Sequence, residues 1–152
     1  MGKKNKCVIT TENVVAVKNP RSEENPNSWK SKNPSWCFKM VDRGFEWDLF
    51  SIANLPDTLI KLIDFERMTW NEIDKQTHDN GKSSNHFVKI ENFTKKAKDR
   101  FNELNLDEFS DNVYSIRLKN KERLYGILID GVFFILWYDI NHTVYDYKLK
   151  HT

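Results

Sequence analysis

Glycine, proline and cysteine are all scarce here: five, four and two in a chain of 152 residues. Cys7 and Cys37 make neither a disulfide framework nor a CxxC pair. The expectation is reduced thiols in a cytoplasm and a fold held by its core. No run of about eighteen apolar residues occurs, so no membrane-spanning helix is expected. The opening MGKKNKC lacks the apolar segment of a secretory signal, and Lys6 stands where an N-myristoylation motif has Ser or Thr. Walker loops, GxGxxG fingerprints, nucleophile elbows and zinc spacings are all missing. That leaves a nucleotide enzyme or a small-molecule hydrolase without support. His78, His86, His142 and His151 are too far apart for a compact metal motif, and neither metal nor cofactor is expected.

Aromatic residues are plentiful: ten Phe, five Trp and five Tyr. They can fill the core of one domain of this size without crosslinks. The net charge of +2 hides an asymmetry. Residues 1–32 hold seven basic side chains against three acidic, and the remainder seventeen against nineteen. With the Asn, Ser and Pro content of 18–35, this divides the chain into a basic, largely flexible arm over 1–33 and a single α+β domain over 34–152. A basic arm suits nucleic acid or another acidic partner, or is simply a solvated tail.

Residues 113–149 carry the densest β-branched and aromatic run and read as four short antiparallel strands. Asp130-Gly131 between Ile129 and Val132 is a type I′ hairpin signal, because both central positions need positive φ. Counting back from that turn pairs Ile127 with Phe134, Tyr125 with Leu136 and Arg123 with Tyr138. An even loop at 119–122 pairs Leu118 with Arg123. Tyr114, Ile116 and Leu118 then share a face with Arg123, Tyr125 and Ile127. Ser115 and Arg117 share the other with Gly126, Phe133 and Trp137. This second face, with a gap at Gly126, reads either as a working surface or as a second core layer.

Earlier in the chain, Trp36–Val41 reads as a strand. Phe45, Trp47 and Leu49 follow as a hairpin partner or an aromatic loop. Pro56 and Asp57 open a helix over 56–67 whose Leu59, Leu62 and Ile63 should face the sheet. Thr69 and Glu72 form a capping box for a short helix. Residues 78–85 read as a loop and 86–90 as an extended piece. Thr94 caps a helix over 95–104 that buries Ala97, Phe101 and Leu104. Its outer face, Lys95, Lys96, Lys98 and Arg100, is solvated or tracks phosphates.

The order strand, helices, antiparallel meander is similar to the RelE/ParE/HigB toxin fold. Tyr114-Ser115-Ile116-Arg117-Leu118 followed by Arg123-Leu124-Tyr125 resembles the basic strand pair of RelE-type toxins, and 142–147 falls where those toxins place their last functional residues. Residues 34–152 also resemble a group of uncharacterised bacterial proteins. The shared features are Trp70–Ile73, the Lys82–His86 loop, Arg123–Gly126 and the ending V-F-x-x-L-W-x-D-x-x-H at 132–142. The RelE resemblance implies helices on one face of a C-terminal meander. It also implies a metal-independent endoribonuclease of a toxin–antitoxin or mobile-element system, with an antitoxin-like protein partner.

Metal-free RNA cleavage needs a base, an acid and cations for the phosphate. Arg117 and Arg123 suit the cation role, because guanidinium forks bind phosphate. His142, Tyr145, Tyr147 or His86 suit proton transfer. Lys82, Lys95, Lys98 and Arg100 are candidate phosphate contacts, and Tyr125 and Trp137 candidate stacking rings. Each has a plainer role open: His142 ending a turn, Arg117 paired with an acid, Trp137 in the core. The competing expectation is a non-catalytic protein-binding module, a phage, mobile-element or defence accessory.

Overall fold

Asp130 and Gly131 adopt φ of 50° and 83°, the two left-handed positions of a type I′ turn, so the hairpin forms where its chemistry places it. The computed structural model describes residues 28–146. Its strands are β1 (Ser35–Cys37), β2 (Thr77–His78), β3 (Lys82–Ser83), β4 (His86–Phe87), β5 (Val113–Lys119), β6 (Glu122–Ile129) and β7 (Val132–Asp139). The helices are α1 (Leu55–Glu66), α2 (Trp70–Asp74) and α3 (Lys95–Glu103). Five strands form one sheet in the order β1-β7-β6-β5-β4, while β2 and β3 make a separate hairpin.

The α+β class is as expected, but the sheet is mixed, because β1 runs parallel to β7. Trp36–Val41 yields only the three-residue β1, and Phe45, Trp47 and Leu49 lie in an aromatic loop rather than a hairpin. Among the described residues no fourth meander strand follows β7: residues 140–146 are irregular apart from a single Tyr145–Phe93 bridge, and 147–149 lie outside the described residues.

Helices cover both faces, not one. Leu62 and Phe65 of α1 and Trp70 and Ile73 of α2 pack on Tyr114, Ile116, Leu124, Leu128, Phe133 and Tyr138. Ala97 and Phe101 of α3, with Trp47 and Phe93, pack on Tyr125, Ile127, Phe134 and Trp137 of the opposite face. A strand as apolar as Phe133–Trp137 requires such double cover. The buried stripe of α1 is Thr58, Leu62 and Phe65, not Leu59 and Ile63. Leu59, Ile60 and Ile63 are 38%, 56% and 49% exposed. The apolar set is wide enough to suit two stripes, and the 58–62–65 spacing is the one that meets the sheet.

Both expected caps form: the Glu72 N–H donates to Thr69 Oγ1 at 3.3 Å, and the Ala97 N–H to Thr94 Oγ1 at 3.4 Å. Residues 28–33, assigned to the arm by composition, are packed onto the domain. Trp29 sits edge-on to Trp70 and Phe87, the Lys32 carbonyl accepts from the Trp70 N–H, and Asn33 Nδ2 donates to the Glu66 carbonyl. The rest of the arm, 1–27, lies outside the described residues. No helix among the described residues is long and apolar enough to cross a membrane.

The β6–β7 pairing holds the expected register from Ile129–Val132 to Ile127–Phe134, continues to Gly126–Ile135, then slips by one residue, leaving Leu136 as a bulge. Tyr125 therefore faces Trp137 rather than Leu136, and Arg123 faces Asp139 rather than Tyr138. A second slip at Leu118 places Arg117, not Leu118, opposite Arg123. Ser115, Arg117, Arg123 and Tyr125 thus share the α3 face, while Tyr114, Ile116 and Leu118 turn to the other. The expected gap at Gly126 is filled by the Phe133 ring, 2.6 Å from where a Cβ would stand.

Candidate functional site: a cationic cleft at the open end of the sheet

Beyond the reach of α3 the sheet is open, and a cleft of about 600 Å³ lies there. Its walls bring together seven of the residues singled out from the sequence: Lys82, His86, Arg117, Arg123, Tyr125, His142 and Tyr145. Arg117 and Arg123 are direct cross-strand partners at its floor. Two like charges placed opposite each other are destabilising, and Arg123 has the buried Asp139 opposite it on its other side, on β7.

Each is held by a separate device. The β4 strand is two residues long, so at Arg117 the ladder has run out. Its N–H donates instead to Asn85 Oδ1 at 2.9 Å. Asn85 is buried, and its Nδ2 donates to the Ile73 carbonyl and to Gln76 Oε1, tying β5 to α2. Arg123 is only 8% exposed, and its Nη1 donates to the Asn120 and Glu122 carbonyls at 2.6 and 3.1 Å. Among the described residues, Arg117 forms no ion pair with a carboxylate.

His142 and Tyr145 arrive through a turn built on Asp139. That buried carboxylate accepts from the Thr143 and Val144 N–H groups at 2.9 and 2.8 Å and from the Thr143 hydroxyl at 3.1 Å. His142 takes φ of 61° to complete the reversal. The Thr94 N–H then donates to the Val144 carbonyl, and the Asp146 N–H to Asn92, clamping the segment beside the start of α3.

The opposite wall is the β2–β3 hairpin, turned by Asp79, Asn80 and Gly81, all with positive φ. Residues 78–85, a plain loop by composition, form this hairpin with Thr77, and it brings in a residue that the sequence does not mark as part of the site. His78 lines the cleft and its Nδ1 lies 3.1 Å from Ser84 Oγ. The only sequence signal was the Asn-Gly pair between Thr77-His78 and Lys82-Ser83, too short an extended piece to count as strands.

Electrostatically the cleft is one-sided. Lys82, Arg117 and Arg123 face a single lining carboxylate, Asp79. Burial lowers the His78 pKa from its ordinary value, with Arg117, Arg123 and Lys82 adding to the effect and Asp79 opposing it. Burial likewise lowers that of His142, helped by Arg123 and Lys121 and opposed by Asp139. Both rings are therefore biased toward the neutral form, able to accept a proton. Among the described residues, no three His, Cys, Asp or Glu side chains are grouped to hold a metal ion.

Comparison of the chain with protein-family models, curated proteins and solved structures gives no match.

The remaining candidates lie elsewhere. Trp137 is fully buried, tilted on Trp47 at 4.8 Å, and its Nε1–H donates to Asp42. It is core, and the Leu136 bulge decides that it joins the layer beneath α3. Arg100 forks onto the buried Asp42 carboxylate at 2.9 and 2.6 Å and also reaches Glu103, so it braces α3 rather than meeting a ligand. Lys95 pairs with Asp99 on the exposed face of α3, and neither Lys95 nor Lys98 lines the cleft. Tyr125 does line it, but the ring is buried edge-on against Phe93, leaving half-buried Tyr145 as the accessible stacking ring.

Proposed function

We propose that the cleft binds single-stranded RNA by its phosphates and cleaves it without a metal ion, on a RelE-like scaffold. The observation that carries this reading is the pair of directly opposed arginines at the base of a cleft whose lining holds one carboxylate. A bridging phosphate oxyanion would offset their repulsion and accept from both guanidinium groups. Lys82 and His86 stand where the strand would continue, and Tyr145 offers a ring for a base. The setting we assign is a cytoplasmic toxin of a toxin–antitoxin or mobile-element system, as the resemblance of the Tyr114–Leu118 and Arg123–Tyr125 strands implies. An antitoxin-like protein would be its partner.

The test uses the full chain with a labelled single-stranded RNA. Binding should weaken with salt, and Arg117→Ala and Arg123→Ala should each lower affinity and the salt slope. Cleavage should persist in EDTA, and expression should slow growth. A wild type that neither binds nor cleaves RNA refutes the proposal. A second reading, a non-catalytic protein-binding module, is favoured by one observation: the exposed Leu59, Ile60 and Ile63 on α1. A protein pull-down abolished by Ile60→Asp and Ile63→Asp, with no RNA activity in the wild type, would establish it instead.

A further inference from the structure

The two histidines with lowered proton affinity stand on opposite sides of the arginine floor. His78 comes from the hairpin preceding β4, at the β4–β5 side of the sheet, and among the cations that lower its pKa Arg117 has the largest effect. His142 follows β7, at the other side, and feels Arg123 first. Arg117 and Arg123 are paired between them. A phosphate centred on the arginines would therefore have one imidazole toward each side.

We propose that His78 and His142 are an acid–base pair acting on opposite sides of one phosphodiester, His78 as the base and His142 as the acid. The inference rests on the proposed RNA-cleaving function of the cleft. The roles follow from the surroundings. His78 faces Arg117, Arg123 and Lys82 against one carboxylate, Asp79, at the exposed hairpin tip. His142 faces Arg123 and Lys121 but has the buried Asp139 carboxylate beside it, the better setting for an imidazolium. A bound phosphate also offsets the arginines, which add to the effect of burial in keeping both rings neutral, so one ring takes up a proton as substrate binds. Ser84 Oγ at His78 Nδ1 fixes the ring, leaving Nε2 for the substrate.

The step balances within the site. Neutral His78 takes the proton of the ribose 2′-hydroxyl, and the 2′-oxygen forms a bond to phosphorus. The bond from phosphorus to the 5′-oxygen breaks, and that oxygen takes the proton of His142. The products are a 2′,3′-cyclic phosphate and a 5′-hydroxyl, and the two rings exchange protons with water to reset.

The test is the pH profile of kcat/KM on an RNA with one ribose in an otherwise 2′-deoxy strand, in EDTA. Wild type should give a bell. His78→Gln should lose about 100-fold or more in rate together with the acidic limb, and His142→Gln a similar factor with the basic limb. RNA affinity at pH 8, where both rings are neutral, should change less than about threefold. His78→Gly should regain part of its rate with added imidazole, which a merely structural histidine would not show. Cleavage with both limbs intact in either variant, exchanged limbs, or 5′-phosphate products would overturn the pair while leaving RNA cleavage standing. Absence of any wild-type cleavage would remove the reading on which it rests.

Discussion

Arg117 offers the sharpest separation of function from stability. It lies directly opposite Arg123, and among the described residues no carboxylate pairs with it. An opposed like-charge pair is destabilising, and favourable cross-strand pairs, which set the scale, contribute roughly 0.2–1 kcal/mol. The structural link at this position is the backbone N–H to Asn85, which Arg117→Ala keeps. Removing the guanidinium should therefore leave folding stability unchanged or raise it by up to about 1 kcal/mol, measured by urea unfolding of the free protein. RNA affinity should move the other way. A charge-assisted hydrogen bond contributes about 1.5–3 kcal/mol, or roughly a 10- to 150-fold loss. One lost single-strand phosphate contact lowers the salt slope by about 0.7. Arg117→Lys should keep the slope and lose part of the affinity, because the charge stays and the fork does not. Fluorescence anisotropy across about 50–200 mM salt reads both quantities. Loss of more than about 1 kcal/mol of stability with unchanged RNA affinity would refute the reasoning and make Arg117 a structural residue.

Gly126→Ala should cost at least about 1–3 kcal/mol in urea unfolding, because its Cβ would meet the Phe134 carbonyl oxygen, which is backbone, and the Phe133 ring in the core. Arg100→Ala should cost about 3–5 kcal/mol by leaving the buried Asp42 with only the Trp137 N–H, yet RNA affinity of the folded variant should be unchanged. Asp48 is held below the usual carboxylate range, first by the Gly44 N–H and then by the Phe50 N–H, Ser51 and Arg43, against the opposing effect of burial. Its stabilisation is complete above the unfolded value of about 3.9 and lost as pH falls through the lower folded one. Asp48→Asn should be less stable at pH 7 and show a flatter acid limb below about pH 4 in the same assay. Leu62→Ala should cost about 2–5 kcal/mol, and Leu59→Ala on the exposed side of the same helix well under about 1.

The elements readable in advance were those with strong local chemistry. Asp130-Gly131, the Thr69 and Thr94 caps and the Pro56 helix start each satisfy a backbone requirement within a few residues, and all formed. What periodicity could not decide was which of two apolar stripes of α1 meets the sheet, because Leu59 and Ile63 at i, i+4 are as helical a pair as Leu62 and Phe65 at i, i+3. The parallel β1 depends on contacts nearly a hundred residues apart, and nothing local announces it. Trp29, in a stretch whose composition suggests disorder, is anchored by its edge contact with Trp70, again a distant partner. In the cleft, seven candidates were named from residue type and strand position. His78 and Asn85 were passed over because their roles arise only when the 77–83 hairpin is laid against β5.

The cleft itself turns on two single residues. Carried through without interruption, the Asp130-Gly131 register and the 119–122 loop put Arg117 and Arg123 on opposite faces of the sheet and Trp137 beside Arg117. The bulge at Leu118 moves Arg117 onto the face of Arg123, and the bulge at Leu136 moves Trp137 off the α1–α2 face and into the core beneath α3. Both slips flank the same end of β6, the strand that carries Arg123. Side chains alternate with period two, so each extra residue exchanges the faces of everything beyond it. Bulges cluster beside functional sites because they re-aim side chains in this way. Regular pairing at Leu118 would have kept the two arginines on opposite faces of the sheet. The Leu118 slip brings the two cations together at the cleft, the Leu136 slip sets the buried Asp139 opposite Arg123, and in the function we propose a bound phosphate offsets the charge of Arg117, which has no such carboxylate among the described residues.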